Sequence, residues 1–116
     1  MEILDREFLL RNVDRDPDLL AEIVEIFFET SSQILENLRS ACERCDIESL
    51  KFGAHEIKGA LSNLGARAAA HAAQRVESLC EEHGASAALR DALTSLEDEI
   101  AHVRPALRML LRTSSL

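Results

Sequence analysis

Inward positions recur at three- and four-residue steps along most of this chain. Leu20, Ile23, Phe27, Thr30, Ile34, Leu38 and Ala41 trace one stripe, the spacing of an amphipathic helix. It predicts a helix over about 17–44, opened by Asp16 as N-cap, Pro17 at the first turn and Asp18 at the positive end of the dipole. Upstream, 5–13 reads as a short helix with Phe8, Leu9 and Val13 apolar. Asp46 caps a third helix with the stripe Leu50, Ala54, Ile57, Leu61 and Leu64, and Gly65 closes it as the residue past the last turn. A fourth helix spans about 66–82, with Ala69, Ala72, Ala73, Val76 and Leu79 inward and Gly84 as its stop. The last carries Leu89, Leu93, Leu96, Ile100, Val103, Leu107 and Leu110, and Pro105 is expected to interrupt and kink it.

Four long helices with narrow apolar seams and short connections predict an all-α fold. Its form is an antiparallel up-and-down four-helix bundle, with the short N-terminal helix covering one end. The 116 residues fit one domain over 1–116. Trp and Tyr are absent and only four Gly and two Pro occur. A sandwich or barrel would need more turn and strand residues, so all-β is excluded.

The net charge of −8 argues against binding a phosphate backbone, which calls for clustered Lys and Arg. No apolar run approaches the ~20 residues of a membrane span. The start, MEILDREF, has no signal-peptide core. The expectation is a cytoplasmic protein with no nucleic-acid or membrane partner. Its three cysteines are too few for a disulfide scaffold.

The segment from Lys51 to Ala60 is unlike the rest. The only two lysines, Lys51 and Lys58, lie four before and three after His55, offsets that bring both to one helical face with the imidazole. Gly53 and Gly59 sit inside the same helix, each costing about 1 kcal/mol relative to Ala. Gly59 lies one turn beyond His55. A neutral imidazole is a nucleophile near pH 7, cations stabilise a phosphoryl group, and a bare patch of backbone lets a partner approach. The plain alternative is a solvated surface histidine flanked by two unrelated lysines.

The run His55-Glu56-Ile57-Lys58-Gly59-Ala60-Leu61-Ser62-Asn63-Leu64-Gly65-Ala66 resembles the signature of histidine-containing phosphotransfer (HPt) domains of bacterial phosphorelays. That signature is His, any residue, apolar, Lys, Gly, small, and later Asn-Leu-Gly-Ala. Ala54, the acidic turn at Asp46, and the acidic Leu-Leu start of the second helix with its Ile26-Phe27-Phe28 are also similar. The resemblance extends to about Glu82, and the last helix matches in pattern alone.

The resemblance implies an intermediate of two-component signal transduction. A phosphoryl group would pass from a receiver-domain aspartyl phosphate to His55, making a phosphohistidine phosphoprotein, and then to another receiver. The implied partners are response-regulator receiver domains and a hybrid sensor kinase. The acceptor is His55 through Nε2, with Lys58 and Gly59 beside it. Glu77 falls where the family has a Glu or Gln facing the imidazole, and Lys51 adds a second cation. Ser62 and Phe28 are candidates for the docking face, Phe28 alternatively packing under the first helix. The chain would be a monomeric carrier rather than an enzyme. It would hold no cofactor, the Mg²⁺ and acid cluster being the receiver's.

Other residues have metal-ligand spacings. Cys42-Glu43-Arg44-Cys45 could form half of a zinc site, and Cys80 with His83 makes a C-x-x-H step. Glu99 and His102 form the Glu-x-x-His step of di-iron bundles, which need two such units. His71 and His83 read as solvated. A metal-binding bundle and a non-catalytic helical adaptor are therefore the rival readings. No nucleotide-binding glycine loop supports a kinase or hydrolase.

Overall fold

Three aspartates start helices by the same device. Asp5 accepts a hydrogen bond from the Phe8 amide at 3.1 Å. Asp16 accepts from the amides of Asp18 and Leu19. Asp46 accepts from the Ser49 amide and hydroxyl, and these bonds, the hydroxyl's first, hold its carboxyl below the usual range. Each side chain takes up amide donors that the first helical turn leaves unpaired. In a computed structural model, which describes residues 3–82 and 87–114, the helices are α1 Arg6–Asn12, α2 Pro17–Glu43, α3 Ile47–Asn63, α4 Arg67–Glu82 and α5 Ala87–Ser114. The described residues form no strand. Gly84 and His83, singled out above, lie outside them.

The ends of α1, α2 and α3 close alike. The amides of Arg15, Asp46 and Ala66 reach back five residues to the carbonyls of Leu10, Ala41 and Leu61 at 2.8–2.9 Å. This closure puts a residue in the left-handed region. Gly65 takes it at φ +74°, as its sequence position predicts, but Asp14 (φ 53°) and Cys45 (φ 56°) fill the equivalent places at the other two ends.

α2 packs against α3 and α5, and α4 packs against the same two, so the four long helices form a ring. Side-chain pairs fix the antiparallel register. Across the α2–α5 seam Arg39 meets Glu97, Ser32 meets Arg104 and Phe28 meets Arg108, α5 numbers rising as α2 numbers fall in equal steps. α1 caps the end where α3 turns into α4. The Asp5 amide donates to the Gly65 carbonyl at 2.9 Å, Arg67 pairs with the Asp5 carboxylate at 2.7 Å, and Leu4, Leu9 and Val13 are buried.

The buried face of α3 (Leu50, Ala54, Ile57, Leu61) and the whole expected stripe of α5 are as the periodicity predicts. α2 and α4 differ. In α2 the core takes Val24 and Ser31, while Ile23 is half-buried and Thr30 exposed. Ile23 and Thr30 instead line a groove between α2 and α3. Ser31 tolerates burial because its hydroxyl donates to the Phe28 carbonyl and accepts from Arg104. In α4 the core takes Ala70 and Cys80, and Ala72 and Leu79 are half-buried. The break expected at Pro105 is not there: α5 runs through it, with Pro105 and Ala101 on the exposed face. There the carbonyl that a proline leaves unpaired is open to water.

Candidate functional site

Ala54 is wholly buried and His55 is the next residue, so a helical step of about 100° carries the imidazole from the core to the flank facing α4. Its side chain is 67% exposed. Lys51, His55 and Lys58 share that flank at four- and three-residue steps. α4 answers at matching steps. Lys51 Nζ lies 3.2 Å from Glu81 Oε1, His55 Nδ1 lies 3.0 Å from Glu77 Oε2, and Lys58 Nζ lies 2.7 Å from Gln74 Oε1. Lys58 also donates to Glu77 Oε1 at 2.9 Å.

Glu77 is the centre of this arrangement, with a side chain only 12% exposed. The hydrogen bond from Lys58, aided by that from His55, holds its carboxyl below the usual carboxylate range against the opposing effect of burial. Glu77 is therefore ionised at neutral pH and can only accept hydrogen bonds. Its partner Nδ1 must then be the protonated ring nitrogen. In the neutral ring this leaves the lone pair on Nε2. The sequence suggests Glu77 by its position, and the structure adds that one carboxylate serves both the histidine and the lysine.

The other expected residues divide. A Cβ built on Gly59 meets nothing within 4 Å, so the surface beyond His55 is open. Ser62 is exposed two turns along the same helix. Lys51 belongs to the α4-facing row, but its ammonium pairs with Glu81. Phe28 lies elsewhere. It is half-buried on the α5 side of α2, with the Arg108 guanidinium 5.1 Å from its ring centre. One step from Phe27, which lines the α2–α3 groove, turns it away from the α3 side that carries His55. Gly53, by contrast with Gly59, is buried against Leu38.

Two features escape sequence reasoning. Gln74 and Ser78 join the row through Lys58 and through a Gln74 Nε2 to Ser78 Oγ bond of 3.1 Å. Once Glu77 is set opposite His55, antiparallel register would have put Gln74 opposite Lys58. Phe52, three residues before His55, is 71% exposed. Among the described residues no group of three His, Cys, Asp or Glu is arranged to hold a metal ion. Cys42 is half-buried, Cys45 exposed and Cys80 buried, and burial pushes the Cys80 thiol up. His83 is outside the described residues.

The helical bundle thus offers one ring nitrogen of His55 to solvent and holds the other with a carboxylate. Comparison with known proteins shows the family. The Hpt domain family model matches residues 22–106, and the chain belongs to that family, with its role of histidine phosphotransfer in a phosphorelay. Two plant relatives from Arabidopsis thaliana are similar. Histidine-containing phosphotransfer protein 1 is 29% identical over 95% of this chain and 74% of its own length. Histidine-containing phosphotransfer protein 5 is 32% identical over 66% of this chain and 48% of its own. No solved structure gives a significant match. Among the described residues no helix is long and apolar enough to cross a membrane.

Proposed function

We propose that His55 is the phosphoacceptor, taking a phosphoryl group on Nε2 from a receiver-domain aspartyl phosphate and returning it to the aspartate of another receiver. The observation that carries this reading is the bond from Nδ1 to an ionised Glu77, which leaves Nε2 as the exposed lone pair. In the forward step the Nε2–phosphorus bond forms while the aspartyl oxygen–phosphorus bond breaks. The receiver carboxylate leaves with the bonding electrons, and the proton stays on Nδ1. The ring becomes positively charged as the bond forms, and Glu77 is already in place to stabilise that charge.

Phosphoryl transfer is mostly positioning and charge neutralisation. The chain supplies a nucleophile on a rigid helix and one cation, Lys58, a turn away. The acid cluster and Mg²⁺ are the receiver's, so this chain is a carrier and not an enzyme. Gly59 and Ser62 are the surface over which the receiver comes. An apolar groove between α2 and α3, lined by Ile26, Phe27, Ile57 and Ala60, adjoins this surface and supports docking there. The relay would also include a hybrid sensor kinase, and the carrier acts as a cytoplasmic monomer.

The test is incubation with receiver domains labelled on their aspartyl phosphate, followed by mapping of acid-labile label. Label on His55, removable by a second receiver, is the expected result. Label elsewhere, or none from any receiver, overturns it and favours the adaptor reading.

A further inference from the structure

The Lys58 ammonium has three N–H donors, and Glu77 takes one. A second goes to the Gln74 amide oxygen at 2.7 Å, the shortest contact of the α3–α4 row. That amide is itself oriented. Its nitrogen donates to Ser78 Oγ at 3.1 Å, one helical turn further on, so its oxygen is turned to Lys58. The result is a connected row in which His55 Nδ1 and Lys58 both donate to Glu77, Lys58 donates to Gln74, and Gln74 donates to Ser78. Among the described residues no further partner takes the third donor of Lys58.

The chemistry of Gln74 matters as much as its place. A carboxylate there would also hold the ammonium, but with Glu77 it would leave the cluster net negative and repel an incoming phosphoryl group. An amide oxygen holds the ammonium and adds no charge. Lys58 is 26% exposed, so it is sheltered enough for direction to matter and open enough to meet an incoming phosphoryl oxygen.

We propose that Gln74, oriented by Ser78, is a positioning residue for phosphoryl transfer: it fixes the Lys58 ammonium beside Glu77 without adding a negative charge, leaving one N–H for the phosphoryl group. This rests on His55 being the acceptor. It acts through Lys58 alone, which makes it separable from a structural role.

The chain has two lysines, so the side-chain ammonium spectrum of ¹⁵N-labelled protein holds two signals, assigned with Lys51→Arg. In Gln74→Ala the Lys58 signal should broaden and its protons exchange faster with water, with helical circular dichroism unchanged. Acceptance from one labelled receiver should slow by about tenfold, less than the ~100-fold that a misplacement of about 1 Å can cost. In the Lys58→Ala background, Gln74→Ala should cause no further loss. Gln74→Glu should keep the Lys58 signal sharp and still slow acceptance. An unchanged Lys58 signal in Gln74→Ala, or an equal fold-loss in both backgrounds, overturns the proposal. If the parent takes no label on His55, the acceptor reading fails and the transfer role of Gln74 falls with it. The ammonium spectrum still shows whether Gln74 holds Lys58.

Discussion

A Cβ built on Gly53 would stand 2.8 Å from Leu38 Cδ2, so any larger residue there must displace the leucine that α2 packs against α3. Leu38 is fully buried, so its side chain must shift within the core to admit a Cβ there. Six residues on, Gly59 faces nothing. Both glycines forgo the same helix propensity, about 1 kcal/mol against Ala, so their Ala variants isolate the packing difference. Gly59→Ala should be more stable than Gly53→Ala by about 1–3 kcal/mol, the usual penalty of overpacking, in urea melts. Gly59→Gln should match the parent in stability and accept phosphoryl poorly, because its side chain fills the receiver's approach. Normal acceptance by a stable Gly59→Gln would take Gly59 off the docking surface.

Removing the imidazole should cost function and not fold. His55 is two-thirds exposed and contacts α4 through one hydrogen bond. His55→Gln should lose all label while its stability stays within about 0.5 kcal/mol of the parent. A melting temperature lowered by many degrees would instead make His55 a structural residue.

Acid should weaken the fold partly through Glu77. Its folded carboxyl titrates below the usual value, so its share of the stability is complete above the unfolded value of about 4.3. That share is lost as pH falls through the folded value. Urea midpoints from pH ~5 down to ~2 should therefore fall more steeply in the parent than in Glu77→Gln. Parallel slopes would mean that the bonds from Lys58 and His55 contribute nothing to stability.

Two equivalent helix ends should respond in opposite directions. Gly65 and Cys45 both occupy left-handed backbone. A Cβ at Gly65 would also stand 2.9 Å from the Asp5 carbonyl oxygen. Gly65→Ala should lose about 1–3 kcal/mol. Cys45→Gly should gain up to about 1 kcal/mol, since an L-residue there is strained by roughly that much. Thermal melts of the two variants decide this, and a destabilised Cys45→Gly would show that the thiol makes a contact worth more than the strain.

Where a helix begins was legible because Asp16 and Asp46 act locally, on amides two or three residues away. The imidazole was legible because two lysines and a glycine flank it at helical offsets. What the chain did not disclose depends on neighbours it meets only after folding. Val24 displaces Ile23 from the core, and Ser31 displaces Thr30, because Arg104 on α5 satisfies a buried hydroxyl. Phe28 falls on the α5 side of α2, beside Arg108, rather than toward His55. Gln74 reads as an ordinary surface amide until α4 is set against α3 and its oxygen falls on Lys58.

The α3–α4 register also bears on how the domain folds. His55 and Glu77 are 22 residues apart and Lys58 and Gln74 are 16, joined through one tight turn at Gly65. The pairs that zip α2 to α5 span 58 and 72 residues. Closing a short loop costs less chain entropy than closing a long one, and low contact order favours speed. The α3–α4 hairpin can thus assemble before the bundle is shut. Damage to the α2–α5 seam would shorten the life of the folded state and leave the imidazole–carboxylate pair intact within each molecule still folded.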